Sequence, residues 1–470
     1  MRFRKALLKI TVLTITISMI SGCSSSGEVN KSAGSSSGGA DKTAGSGSAG
    51  KPAGTDNGGS ELSITYYQNS ERIVEAAISK YLSENPSVSI KREKVSRKEE
   101  YSDTMKELDS LMTRTLAGEG PDIIIELNYF RVAKNYKTLN SGVYCDLNEL
   151  IKNDAEFSLD DYYQNVMDTG IINSKRYVMP LAFEVCGFLT TKETLEENNV
   201  DIDKSSWDWK YFIQITRDFI QRNKGKDKYF LNPMFDYNVL QYYTASRVDY
   251  TKNKSDFNSE EFKTVLKDLK EIYSAIYPIK KDNGWSYSPV TYVRDRKAVL
   301  SFDTSGMSSM TELSGMYDNF KKEINQELIV LPFPLIDENK GYPFSVSITA
   351  GITSTCRYKK EAFELIKTML MPEIIGDLFY SRFGLPVSKA GYKKVTSEPF
   401  PFQYGGGYPH PEAALLEIDK MVENLGKGVF YDQQINSIVY GHYADYRDGR
   451  ATLEETVKKM DDDTYFYLNE

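Results

Sequence analysis

An α/β fold, with helices on both faces of a mainly parallel sheet, is predicted by three observations. Residues 62–126 alternate short β-rich apolar runs with stretches whose apolar residues recur at helical spacing. Glycine and proline mark the junctions between them. Residues 61–470 make up 410 residues, long enough for two domains of ordinary size.

The elements follow in order. LSITYY (62–67) reads as a strand, and Asn69 or Ser70 can cap the helix after it. Val74, Ala77, Ile78, Tyr81 and Leu82 give that helix its apolar stripe. Asn85-Pro86 stops it, because the residue before proline disfavours the helical conformation. SVSIK (87–91) is the second strand. Tyr101, Met105, Leu108, Met112 and Leu116 form the next helical stripe, Gly118 and Gly120-Pro121 end it, and DIIIE (122–126) is the third strand. Ligands of such sheets bind at the carboxyl ends of strands, which singles out Tyr67, Gln68, Glu126, Asn128 and Tyr129. A second strand-rich region, YVMPLAFEVCGFL (177–189), precedes the polar, aromatic SSWDWKYF (205–212). Helical stripes recur at 260–277, 361–371 and 411–424, and no repeat of 20–50 residues is evident.

The N-terminus has its own logic. Arg2, Arg4, Lys5 and Lys9 surround the start of an apolar segment, Ala6 to Ile20, that is shorter than the ~20 residues needed to span a bilayer. This is the pattern of a secretory signal, residues 1–22. Ile20-Ser21-Gly22-Cys23 resembles the bacterial lipobox, which implies lipidation of Cys23 and a place on the outer face of the cell membrane. Ten of the 37 residues in 24–60 are Gly, ten are Ser and none is aromatic, so this stretch cannot bury enough apolar surface to offset its ordering entropy. It reads as a tether with a reach of about 30–36 Å.

Composition excludes several classes. The net charge is −8, or −12 without the four basic residues of 1–22, against the basic footprint that nucleic acid demands. Besides Cys23 the chain has Cys145, Cys186 and Cys356, an odd number unsuited to a disulfide framework, and two histidines, His410 and His442, with no zinc-type spacing. Gly405-Gly406-Gly407 lacks the Gly-Lys-Ser/Thr of a phosphate loop, and there is no G-x-S-x-G elbow. Asp461-Asp462-Asp463 lacks the Gly and distal Glu of a calcium loop and reads as a solvated turn near the end. No metal and no cofactor is expected.

Four stretches in order resemble the family 1 extracellular solute-binding proteins, the carbohydrate-binding lipoproteins of ABC importers. They are LAGEGPDIIIELNYF (116–130), KRYVMPLAFEVCGFLTTKETL (175–195), LIVLPFPLIDENKGYPFSVSITAGITSTCRYKKEAFELIKTML (328–370) and FGLPVSKA (383–390). The chain departs from the family pattern at Thr190-Thr191-Lys192, where Tyr-Asn-Lys is usual, and at Ser206-Trp207, where Thr-Trp is usual. The resemblance implies a two-lobed periplasmic-binding-protein type II fold, each lobe a mainly parallel sheet flanked by helices, joined by crossovers at 183–187 and 331–335. The first lobe would hold 61–183 plus 335–384, the second 187–331 plus 385–470.

Sugars present apolar C–H faces and rings of hydroxyls, so a site needs flat aromatics and planar polar groups. Tyr67, Tyr129, Tyr242, Tyr243 and Trp285 are candidate stacking platforms. For Tyr242 and Tyr243 core packing is the stronger alternative; for Trp285, in the turn-rich DNGWSYSP, it is a small cluster under a loop. Gln68, Glu126, Asn128, Glu184, Asp303 and Arg382 are the polar candidates. Glu184 falls on an otherwise apolar strand, so its carboxyl must be hydrogen-bonded or face a cleft. Asp303 precedes Thr304-Ser305-Gly306, where an Asx turn is the alternative role.

The expected function is lipid-anchored capture of a carbohydrate, an oligosaccharide above all, and its delivery to ABC permease subunits by a monomer that meets the membrane only through its anchor. The alternatives are the same fold with a non-sugar solute and an exported glycosidase, which needs two carboxyl groups ~5–9.5 Å apart. No motif picks out such a pair, and no enzymatic activity is expected.

Overall fold

The computed structural model describes residues 60–98, 100–127, 139, 141–281, 289–303, 308–337, 340–375, 384–397, 411–429 and 432–470. Five of the expected positions, Cys23, Asn128, Tyr129, Trp285 and Arg382, lie outside them.

The first unit runs strand–helix–strand–helix–strand as its periodicity demands. Strand β1 (Glu61–Tyr67) leads through one 3-10 turn to helix α1 (Glu71–Glu84), whose buried face is Ile73, Val74, Ala77, Ile78 and Tyr81. Ser70 occupies the N-cap position without a side-chain cap; its hydroxyl donates to the Tyr67 carbonyl instead, at 2.8 Å. Strand β2 (Ser89–Val95) starts two residues later than the sequence suggests. Helix α2 (Tyr101–Leu116) and strand β3 (Ile123–Leu127) complete the unit. The Gly120-Pro121-Asp122 corner is structural. Asp122 accepts from the Ser63 amide and hydroxyl at 2.8 and 2.7 Å, fastening the start of β3 to β1.

A short hairpin, β4 (Ile171–Ile172) and β5 (Lys175–Arg176), precedes β6 (Met179–Val185) and β7 (Gly187–Thr191). Next come α3 (Trp209–Arg222), α4 (Phe235–Ser246), the hairpin β8 (Val248–Asp249) and β9 (Lys254–Ser255), and α5 (Glu260–Ile272). Strand β10 (Ser301–Asp303), α6 (Met310–Glu323), β11 (Leu328–Pro332), β12 (Tyr342–Ile352) and α7 (Lys359–Met369) follow. The chain closes with β13 (Leu385–Pro386), α8 (Glu412–Glu423), β14 (Leu425–Val429), α9 (Gln433–Arg447) and α10 (Leu453–Asn469).

These strands form two principal sheets. The larger has the order β13-β6-β12-β3-β1-β2, with β14 also on β12; the smaller has the order β10-β7-β11. Parallel pairing holds for β2–β1–β3 and for β12–β14. Strand β12 is antiparallel to β3 and β6, and both pairs of the smaller sheet are antiparallel. The larger sheet is therefore mixed and the smaller wholly antiparallel, unlike the mainly parallel sheets expected. The cause is the path of the chain. Strand β12 arrives from the smaller sheet, so it enters the larger one at the end where β1 and β3 finish. Strand β7 runs away from the larger sheet and β11 runs back toward it.

The chain leaves the larger sheet at Val185 and enters the smaller at Gly187, with Cys186 between. It returns between Pro332 and Tyr342. Beyond residue 384, β13 and β14 both pair within the larger sheet. The smaller sheet is packed on aromatic rings: Phe188 lies 5.3 Å from Phe212, 5.7 Å from Phe235 and 5.6 Å from Phe302. Asp208 caps α3 through the Tyr211 amide, and Trp207 donates to the Pro332 carbonyl at 2.7 Å. Trp207 and Asp208 thus pin the start of α3 to the end of β11.

The acidic run 461–463 is not a solvated turn. It lies inside α10, which starts at Thr452 with a reciprocal capping box to Glu455. Asp461 accepts from the Ser255 hydroxyl and the Phe257 amide, Asp462 pairs with Lys458, and Asp463 lies 2.7 Å from His442 Nε2. Among the described residues no helix is long and apolar enough to cross a membrane.

One glycine before β13 tests this register. Gly384 has φ +99°, and a Cβ there would sit 2.3 Å from the Phe183 carbonyl oxygen of β6. Gly384→Ala is expected to lower the unfolding free energy by about 1–3 kcal/mol, the usual range for overpacking, with no change in the slope of a urea titration. An unchanged midpoint would contradict the β13–β6 pairing.

Candidate functional site

The two sheets bring acidic side chains together beside Cys186. Glu184 lies on β6 opposite Ser345 of β12, and Asp303 ends β10 opposite Gly187 of β7. Both carboxyl groups are buried, Glu184 at 6 % and Asp303 at 5 % exposure. Burial raises the Glu184 carboxyl from its ordinary range to about 7; Asp303 and, more weakly, Glu312 of α6 push the same way, while a hydrogen bond from Ser345 opposes them. The group is thus partly protonated at neutral pH, able to donate a hydrogen bond as an acid and accept as a carboxylate.

The backbone of this crossover is held in place. The Ser308 hydroxyl accepts from the Val185 amide at 2.8 Å and donates to the Val185 carbonyl at 3.1 Å. Cys186 is fully buried, its thiol points at the Pro343 carbonyl at 3.9 Å and bonds Tyr242, and burial drives its pKa up. Such a thiol is inert rather than nucleophilic. The Ser345 hydroxyl, with three carboxyl groups, makes a site rich in acceptors and suited to solutes that present several hydroxyl or ammonium donors, while Ser308 serves the backbone beneath it.

A second cluster forms where β1 and β3 end. Tyr66 pairs with Ile125, so Tyr67 and Glu126 come next on adjacent strands. Glu126 is buried and accepts from the Tyr144 hydroxyl at 2.9 Å. Tyr67 is buried at 3 % exposure, and Gln68 accepts from the Arg97 amide at 3.2 Å. Glu126 pairs with Thr349 and Glu184 with Ser345, four residues apart on β12. At ~3.3 Å per residue that separates the two clusters by roughly 13 Å along the strand, a span that several sugar rings can bridge but one cannot.

The described aromatic candidates sit in packing. Tyr242 is buried, with Phe302 at 6.3 Å and Phe333 at 6.4 Å. Tyr243 is half-buried against Trp209 at 6.0 Å and Phe333 at 6.2 Å, and burial raises its phenol well above the ordinary value. Neither offers a bare ring face as the sequence reading of a platform would have it. Sequence reasoning missed Ser308, Ser345 and Glu312. Ser345 lies in the small-residue strand FSVSITAGI, which marks a tight strand but not its partner across the sheet; Ser308 and Glu312 carry no local signal. Among the described residues no group of His, Cys, Asp and Glu could hold a metal ion.

Residues 93–374 match the family model described as bacterial extracellular solute-binding protein. Three solved structures illustrate the likeness of fold. The sugar-binding protein MalE of Xanthomonas citri is 14 % identical with a TM-score of 0.66, covering 87 % of this chain and 97 % of that one. A periplasmic oligogalacturonide-binding protein of Yersinia enterocolitica is 16 % identical with a TM-score of 0.65, covering 87 % and 98 %. An ABC substrate-binding protein of Listeria monocytogenes, in complex with cycloalternan, is 14 % identical with a TM-score of 0.61, covering 87 % and 99 %. No curated protein matches the chain.

Proposed function

The chain belongs to the bacterial extracellular solute-binding proteins, and from that premise we propose that it captures an oligosaccharide between two lobes and hands it to an ABC-type permease. The observation that carries this reading is the meeting of Glu184 and Asp303, from different sheets, beside the crossover at Cys186. A solute held by both carboxyl groups ties the two sheets together, and its preference for that arrangement is what drives closure. The lobes take their limits from the crossovers at 183–187 and 331–335. Glu126, Tyr67 and Gln68 extend the proposed site along the larger sheet; Asn128, Tyr129, Trp285 and Arg382, which lie outside the described residues, are its remaining proposed contacts, and Tyr242, bonded to Cys186, takes a supporting role with its neighbour Tyr243.

A thermal-shift panel of mono- and oligosaccharides tests the reading. A solute that binds only the folded protein stabilises it by about 2.7 kcal/mol at one hundred times its dissociation constant. The concentration of carboxyl groups favours a second reading, a cationic solute in the same site, so polyamines and basic peptides belong in the panel. Stabilisation by these alone, with none by any sugar, would favour that second reading. Sugar hydrolysis during prolonged incubation would instead mark a glycosidase.

Residues 1–22 act in this proposal as a secretory signal, Cys23 as the lipid anchor and 24–60 as the tether that lets the receptor turn toward its permease. Cys23→Ala is expected to release the protein from membrane fractions into the soluble one. A variant that still sediments with membrane, or a wild-type Cys23 found unlipidated by mass spectrometry, would remove the anchor from the account.

A further inference from the structure

One carboxyl group beside the crossover is buried without a countercharge. Glu184 is 6 % exposed, and among the described residues no lysine or arginine pairs with it. Each element around it contributes one group. Ser345 of β12 donates a hydrogen bond, Asp303 of β10 and Glu312 of α6 add negative charge, and the Cys186 thiol, two residues on, is buried and stays protonated.

The origin of these groups matters more than their number. Glu184 and Ser345 belong to the larger sheet. Asp303 ends a strand of the smaller sheet, and Glu312 lies in the first turn of α6, between β10 and β11 of that sheet. The Glu312 amide donates to the Ser309 hydroxyl at 3.3 Å, which fixes this turn. Like charges therefore face each other across the crossover at Cys186 rather than within one sheet.

Buried carboxylates so placed are both desolvated and mutually repelled. A proton on Glu184 removes the repulsion and supplies a hydrogen-bond donor. Without that proton, strain is relieved by moving the sheets apart and admitting water. Burial and then Asp303 raise the Glu184 carboxyl from 4.5 to about 7 with the sheets together; once water reaches it, the group returns toward its ordinary value. The close arrangement thus binds the proton more tightly. Its advantage is full below pH 4.5, declines as pH rises, and is lost above about 7.

We propose that Glu184, facing Asp303 and Glu312 across the crossover, is a proton-operated latch: its ionisation holds the sugar-free lobes apart, and its protonation lets them close without solute. The latch rests on the two-lobed reading given above. At neutral pH a solute closes the protein by bringing its own donors between the same carboxyl groups, the part that the proton plays in acid.

Small-angle scattering of the sugar-free protein from about pH 5 to 8 tests the latch. The radius of gyration should rise with pH and level off above about 7. Glu184→Gln should stay compact throughout, and Asp303→Asn should make its transition at a lower pH, since one source of repulsion is gone. Glu84→Gln, which removes an exposed charge at the end of α1, should follow the wild type. A wild-type radius that ignores pH would overturn the latch, and so would a transition retained in Glu184→Gln or moved as far by Glu84→Gln as by Asp303→Asn. If a sugar still compacts a protein whose radius ignores pH, the latch fails and capture between two lobes stands. If neither sugar nor acid compacts it, the two-lobed reading fails as well.

Discussion

Glu184→Gln is expected to make the sugar-free protein more stable at pH 8 by about 3 kcal/mol, from ~1.36 kcal/mol per pKa unit. The Glu184 carboxyl is raised from 4.5 to about 7 in the folded protein, chiefly by burial and then by Asp303. Folded protein therefore keeps a proton that the unfolded chain releases between about pH 4.5 and 7, and this contribution to stability falls as pH rises through that window. Below pH 4.5 both states are protonated and the contribution is fully present; above 7 it is gone. Glutamine, always neutral, removes the decline. Guanidinium unfolding of both proteins from pH 4 to 8 should show curves that coincide at the acid end and separate toward neutrality. Parallel curves would show that Glu184 is not held in a desolvated, acid-crowded site. The same substitution should weaken solute capture, since a hydrogen bond to a charged group is worth about 1.5–3 kcal/mol. A gain in stability with a loss in binding is what separates a functional carboxyl from a structural one.

Arg447→Met is expected to lower the unfolding free energy by about 3–5 kcal/mol, the penalty of leaving a buried carboxylate without its partner. Asp236, near the start of α4, is 2 % exposed, and Arg447 at the end of α9 reaches it at 3.4 Å while its guanidinium lies 4.3 Å over the Tyr273 ring. Burial already raises the Asp236 carboxyl despite that cation. The pair fastens the C-terminal helices to α4, whose Phe235 packs on the smaller sheet through Phe188. Adding Asp236→Asn to the variant should restore much of the loss. If the single variant unfolds at the wild-type denaturant concentration, α9 does not dock on α4 through this pair.

The first unit of the fold was legible because its signals are local. Apolar residues at helical spacing and Gly-Pro punctuation define β1 through β3 to within a few residues. What local pattern cannot carry is pairing across a long separation. Nothing within FSVSITAGI says that Ser345 will face Glu184, and nothing in short apolar runs distinguishes an antiparallel three-stranded sheet from a parallel one. The crossover at Cys186 was legible only through resemblance to a family. In the opposite case, the Thr452-to-Glu455 capping box stands in the sequence and marks a helix start, yet the acidic run beyond it reads as a turn when judged by charge alone. The site followed the same division. Glu184 stood out as a carboxyl on an apolar strand, whereas Ser308 matters through two hydrogen bonds to a backbone 123 residues away in the chain.

The most direct measurement is small-angle scattering of the protein with and without the oligosaccharide that gives the largest stabilisation in the thermal panel. A solute clasped at the crossover by Glu184 from one sheet and Asp303 from the other should reduce the radius of gyration as it saturates the protein, with the change following the binding curve. Saturable binding that leaves the scattering curve unaltered would contradict capture by closure of two lobes.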